Sequence, residues 1–412
     1  MRSGRADCGL MYAVKRAGNA VAYCSLSIRC GTRDEAGFHS GIAHFVEHTI
    51  FKGTEKKSSV VINSYLDKLG GELNAYTTKE EIVFHATVLK EDLSKASSLL
   101  FELASSPVFP EKEIEKEKGV VIDEINSYKD SPAEDIYDKF EELLFSGHPL
   151  ETPILGTSSS VKKITRDELL RFVSQKFIPG NMAFSVVADI PEKVLEERTL
   201  KLIAKFFGVI PPDMETGAVA RSLFVPECNR FDKLFNKRNH QVNLVIGNFA
   251  PSLYEEKERI ATVLLSNILG GPAANSILNS VLRERYGWVY GVECSYTQYS
   301  DTGIAVITLG CDKCNFDRCM LTVEKEIRKI QDIPLSSSRL KAAKKQLLGQ
   351  VAISSDNGEA QCLSMGKGLL SYGRVATDEE TSEKVEAVTA EDIMLAAQKI
   401  FNADTFSRLV FV

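Results

Sequence analysis

Lys163-Ile164-Thr165-Arg166-Asp167-Glu168-Leu169-Leu170 runs on to Lys176-Phe177 and then to Met182-Ala183-Phe184-Ser185-Val186-Val187, and the end of the chain repeats this plan. There Ala387-Val388-Thr389-Ala390-Glu391-Asp392-Ile393-Met394 leads to Ile400-Phe401 and on to Phe406-Ser407-Arg408-Leu409-Val410-Phe411. From Thr165 to Thr389 the offset is 224 residues, and it holds along both copies. Each copy has a Thr in the N-cap position, acids in the first helical turn, an amphipathic helix and then a strand. A second pair keeps nearly the same register: Asn74-Ala75-Tyr76-Thr77-Thr78 before Ile82–Val88 is matched by Cys294-Ser295-Tyr296-Thr297-Gln298 before Ile304–Thr308. Two matches at nearly one spacing indicate a duplication. The expected fold class is therefore α+β, with two homologous halves, each an antiparallel sheet packed with helices. We place the halves at 1–210 and 223–412, joined by a linker at 211–222 where Pro211-Pro212 and Gly217 break the helical pattern.

A length of 412 residues suits two large domains better than one. Hydrophobic residues at 44% and charged residues at 26% provide material for two cores and argue against disorder. The 56 acidic and 50 basic residues are mixed along the chain, so no basic stripe offers itself to nucleic acid. No apolar run approaches the ~18 residues that a bilayer span needs, and Met1 to Gly18 lacks the apolar centre of a signal peptide. A membrane is not an expected partner. Nine cysteines, an odd number in a long chain, fit a reducing compartment, and the cytoplasm is the expected location; a removed leader would leave no trace. Cys311, Cys314 and Cys319 form a C-x2-C-x4-C cluster that lacks a fourth ligand nearby, which favours plain thiols over a metal site.

The chemistry concentrates in Gly41-Ile42-Ala43-His44-Phe45-Val46-Glu47-His48-Thr49-Ile50-Phe51-Lys52-Gly53-Thr54. Ile42 to Phe51 holds no breaker and predicts a helix closed by Gly53. On such a helix His44 and His48 project from one face a turn apart, with Glu47 beside them. Two imidazoles so placed can grip a zinc ion, and the carboxylate can take a proton from water on it. H-x-x-E-H is the inverted zinc-peptidase signature, although the same pair can also be hydrogen-bonded core histidines. A catalytic zinc wants a third protein ligand and an open position. Glu113 to Ile125 reads as a second helix on which Glu117 and Glu124, seven residues apart, share a face. A solvated acidic stripe is the alternative there, but Ile114, Val121 and Ile125 mark a buried side close to Glu124.

The H-x-x-E-H string, the 76 residues from His48 to Glu124 and the Glu117 seven before it resemble the pitrilysin (M16) family of metallopeptidases. The family includes the mitochondrial processing peptidase and insulysin, and the resemblance covers nearly the whole chain. It implies a Zn2+ held by His44, His48 and Glu124, with Glu47 as general base and Glu117 supporting a ligand or a proton transfer. By the same resemblance the stretches 31–35, 51–54 and 70–77 look like the family's flanking blocks, and Asn74, Ala75 and Tyr76 would pair with the backbone of an extended substrate. Leu282 to Tyr290 resembles the block whose Arg and Tyr, here Arg283 and Tyr290, reach the active site from the second half. Ile277 departs from an Arg often seen there. The second half has no histidine beyond His240, so a single zinc site is expected, in the first half. The implied function is a zinc-dependent endopeptidase for short or unfolded peptides, working as a homodimer or as a heterodimer with a related subunit. A non-catalytic scaffold of the same family is the alternative. Glu80 and Glu81 are expected to face solvent, and His39, His85 and His148 to be structural.

Overall fold

A computed structural model of the chain describes residues 1–208, 224, 230–237 and 239–412. The linker placed at 211–222 lies outside the described residues. Thr165 accepts a hydrogen bond from the backbone N–H of Glu168, and Thr389 from that of Asp392, so both repeats start their helix with the same cap.

The strands are β1 (Arg2–Arg5), β2 (Met11–Arg16), β3 (Val21–Ile28), β4 (Glu72–Thr77), β5 (Ile82–Leu89), β6 (Met182–Ala188), β7 (Asp232–Phe235), β8 (Gln241–Ala250), β9 (Val289–Gln298), β10 (Gly303–Asp312) and β11 (Ser407–Phe411). The helices are α1 (Ile42–Ile50), α2 (Ser59–Asp67), α3 (Leu93–Ser105), α4 (Glu111–Asp130), α5 (Pro132–Leu144), α6 (Ser158–Val161), α7 (Arg166–Lys176), α8 (Glu192–Phe207), α9 (Glu256–Gly270), α10 (Phe316–Asp332), α11 (Ser337–Asp356), α12 (Gly358–Tyr372), α13 (Asp378–Ala387) and α14 (Ala390–Ile400).

One sheet has the order β1-β2-β6-β3-β5-β4 and the other β7-β11-β8-β10-β9. Without β1, the two orders correspond strand for strand, which is the duplication read from the repeats. Neither sheet is wholly antiparallel. β2 runs parallel to β6, and β7 to β11, while the remaining pairs are antiparallel. The partner of Met11 is Ala183, far along the chain, and local pattern says nothing of its direction.

The chain divides into two units that exchange segments. The described residues within Met1–Asn126, Thr152–Val219 and Ile353–Ala376 form the first unit, and those within Ser127–Glu151, Ala220–Ala352 and Thr377–Val412 the second. The expected boundaries take no account of the exchanged pieces 127–151 and 353–376. In the first unit, α12 lays Cys362, Met365, Leu369 and Leu370 on Met11, Ala13, Ala183 and Val187 of the sheet. In the second, α5 lays Ile136, Phe140 and Leu144 on Val245, Ile304, Val306 and Leu409. α3 and its neighbours cover the opposite face of the first sheet. With both faces covered, β6 is buried at every residue and reads as an unbroken run, Met-Ala-Phe-Ser-Val-Val-Ala, rather than an alternation.

At the far edge of the first sheet, β4 pairs with β5 in the register Asn74↔His85 and Tyr76↔Val83. Among the described residues it has no strand on its other side. No helix among the described residues is long and apolar enough to cross a membrane.

Candidate metal centre

Ile42, Ala43, Phe45, Val46 and Ile50 sink α1 into the first unit's core, which sets the rotation of the helix and brings His44, Glu47 and His48 to one side. The two imidazole centroids are 4.5 Å apart. On α4, Ile114, Val121 and Ile125 are buried, and Glu117 and Glu124 turn towards α1. Glu124 Oε2 lies 3.4 Å from His48 Nε2 and 3.8 Å from His44 Nε2. Among the described residues this is the one group of His, Cys, Asp and Glu side chains able to hold a metal ion, its three donor atoms within 4.8 Å of one another.

The donor set suits zinc. Tetrahedral coordination with bonds of ~2.0–2.2 Å sets donor atoms roughly 3.4 Å apart, close to the two separations found. His48 Nδ1 is 3.0 Å from Glu117 Oε1, which fixes the proton on Nδ1 and leaves Nε2 turned to Glu124. Lys52 Nζ, 2.8 Å from Glu117 Oε2, balances that carboxylate. Buried His44 Nδ1 has no hydrogen-bond partner.

The electrostatics agree. Burial, with His48 beside it, lowers the His44 pKa to about 3, so this imidazole is neutral and keeps its lone pair. At His48 burial also pulls down, but the Glu117 hydrogen bond and the charges of Glu124, Glu117 and Glu47 prevail and raise it. Burial lifts Glu47 above the ordinary carboxylate range, with Thr77 and His48 opposing and Glu124 adding to the rise. Burial pushes Glu117 upward too, yet its bonds to His48 and Lys52 win and hold it low. Three carboxylates around two imidazoles make a field that favours a cation.

Residues 11–158 match the family described as Insulinase (Peptidase family M16), and residues 163–347 match the Peptidase M16 inactive domain. The chain belongs to peptidase family M16. It is a metallopeptidase by that membership. Relatives of this M16 chain include an uncharacterized zinc protease of Rickettsia felis, 28% identical over 94% of the chain and 91% of the relative. The uncharacterized zinc protease YmxG of Bacillus subtilis is 29% identical over 92% and 90%. The crystal structure of a protease from Helicobacter pylori, at 19% identity, superposes with a TM-score of 0.90 over 100% of this chain and 98% of that one, and so shares its fold.

The other anticipated residues of the M16 chain are distributed as follows. α1 packs against β4, which carries Asn74, Ala75 and Tyr76. Ala75 packs on the same core as α1, while the Tyr76 ring lies 6.2 Å from that of His85. Strand alternation puts Asn74 on the Tyr76 side. In the second unit, Arg283 lies in the wide π-helical turn Asn279–Arg285 with Nε 3.2 Å from Glu284, and the exposed Tyr290 donates to Asp312 Oδ1 at 2.8 Å. Ile277 packs at the margin of the second unit's core.

Several expectations need correction. Glu80 and Glu81 do not simply face solvent. Glu80 pairs with Arg33 at 2.6 Å, and burial raises the pKa of Glu81. α1 ends at Ile50 with Phe51 as its cap, and Gly53 instead bridges to Ser58. His39, His85 and His148 do sit apart from the metal group, against Glu168, Glu359 and Asp301. Cys311 and Cys319 are buried and Cys314 is exposed. Lys52 went unrecognised as a partner of the site, although its place four residues after His48 puts it on the same side of the chain's path.

Proposed function

We propose that this chain is a zinc-dependent endopeptidase that cuts short or unfolded peptides laid as an added strand along β4. The observation that carries the reading is the His44–His48–Glu124 group with Glu47 beside it on the same helix face. An open sheet edge packed against that helix supports the substrate's placement.

In this reading His44, His48 and Glu124 would hold Zn2+, which when bound would supply Lewis acidity and make an attacking water more acidic. Glu47 takes the proton from the attacking water. It then passes the proton to the leaving amine. Glu117 keeps the His48 ring in place through Nδ1. Backbone groups of Asn74, Ala75 and Tyr76 align the substrate. Arg283 would hold a substrate carbonyl or carboxylate, and Tyr290 would donate to the developing oxyanion. The working assembly in this proposal is a homodimer, or a heterodimer with a related subunit.

Zinc content by elemental analysis, alongside cleavage of a quenched fluorescent peptide, tests the proposal. Wild type and Glu47→Gln should each hold one equivalent of zinc, with cleavage falling by roughly 10²–10⁴-fold in the variant. Zinc-free protein without activity would instead indicate a scaffold that keeps the fold alone.

A further inference from the structure

The first N–H groups of a helix have no partner within it and need an acceptor. α1 cannot supply its own. Gly41 at its N-cap has no side chain, takes a left-handed φ of 88°, and leaves no room for one, since a Cβ would lie 2.7 Å from the Leu155 carbonyl oxygen. The acceptor comes from Glu35, which is 7% exposed. Its Oε2 accepts from the Gly41 N–H at 2.8 Å and its Oε1 from the Ala43 N–H at 2.9 Å. Burial raises the Glu35 pKa to about 8, while the two N–H bonds and the positive end of the helix dipole favour its ionised form. His44, Glu47 and His48 follow within the next five residues.

The loop that delivers Glu35 is fastened at its other end to the turn after β4. Thr32 N–H donates to the Thr78 carbonyl at 3.3 Å and Arg33 N–H to that of Lys79 at 3.1 Å. The Arg33 guanidinium donates to Glu80 Oε1 at 2.6 Å, with side-chain exposures of only 4% and 19%. The buried Lys79 donates from Nζ to the Thr152 carbonyl at 2.6 Å. At Gly31 the backbones touch, for a Cβ would stand 2.2 Å from the Lys79 carbonyl carbon. Residues 31–35 therefore tie the strand's end to the start of the helix.

We propose that Glu35 and Arg33 are positioning residues: Glu35 fixes the helix that presents His44, Glu47 and His48, and the Arg33–Glu80 pair holds that helix in register with the β4 edge. The strand half of this proposal rests on the substrate placement put forward above. The two contacts then govern different quantities. Glu35 controls how well the donor atoms converge, and Arg33–Glu80 controls how the edge strand is held relative to them.

The test uses the full chain and Co2+ as a probe, with affinity from chelator competition, the visible absorption bands of the bound ion, and peptide kinetics. Glu35→Gln replaces one acceptor oxygen with a donor, so Co2+ affinity should fall, by less than the roughly 10–100-fold that follows loss of a group bonded directly to a metal ligand, with altered bands. Glu35→Asp, which keeps the carboxyl group on a shorter arm, should lose less and serves if the Gln variant does not fold. Glu80→Gln should leave Co2+ affinity and bands unchanged, raise KM more than it lowers kcat, and speed hydrogen exchange of the β4 amides 72–77. Wild-type affinity and bands in both Glu35 variants would overturn the helix half, and unchanged β4 exchange in Glu80→Gln the strand half. The Co2+ and exchange readouts hold even if wild type cleaves no peptide, an outcome that would sink only the peptidase reading.

Discussion

His44, Glu47 and His48 are legible as a set because helix geometry alone brings positions i and i+4 to one face, whereas resemblance to the family's 76-residue interval implied Glu124 as the remaining donor. What that spacing cannot give is the neighbour of each donor. Glu117 bonds His48 Nδ1 and is itself held by Lys52, a relay across two helices. Glu117→Gln keeps the size but removes the charge that both partners face. We expect its zinc affinity to fall roughly 10–100-fold in chelator competition, with an intact fold by circular dichroism. An unchanged affinity would mean that Glu117 neither orients His48 nor strengthens it as a ligand. Glu80 and Glu81 show the limit of residue-scale reading, since two adjacent acids after a strand look solvated until Arg33 is seen beside one of them.

Among the elements, helices with strong caps were read correctly from sequence. Thr165 and Thr389 bond the N–H three residues on, and the acids in the first turn agree with the helix dipole. Replacing Thr165 with Ala should cost about 1 kcal/mol, seen as a lower urea midpoint at constant slope. α1 is the contrasting case. Its start depends on a carboxylate from a loop six residues away, and its end comes at Ile50 rather than at the glycine that invites a cap. β6, buried along its length with Ser185 satisfied by Ser25 and the Cys362 carbonyl, shows that a largely apolar run marks a central strand with both faces covered.

On the scale of the molecule, the repeats yielded two related sheets, and the matching strand orders agree. They gave no hint that α5 and α12 are exchanged between the units. A fragment of residues 1–210 lacks α12, which leaves Met11, Ala13, Ala183 and Val187 without their cover. Such a fragment should bind a hydrophobic dye and melt without a cooperative transition, whereas the full chain should do neither. A fragment that melts cooperatively and binds no dye would show that the first unit does not need the helix donated from residues 353–376.

The sequence by itself determined the duplication and the helix that carries His44, Glu47 and His48, because periodicity and capping are properties of local chain geometry, while resemblance to the family's interval pointed to Glu124 as the third donor. Only the tertiary structure decided the parallel pairs, the exchanged helices, the Lys52–Glu117–His48 relay and the Glu35 cap. Each of these joins residues through space, where burial and charge choose partners without regard to their distance along the chain.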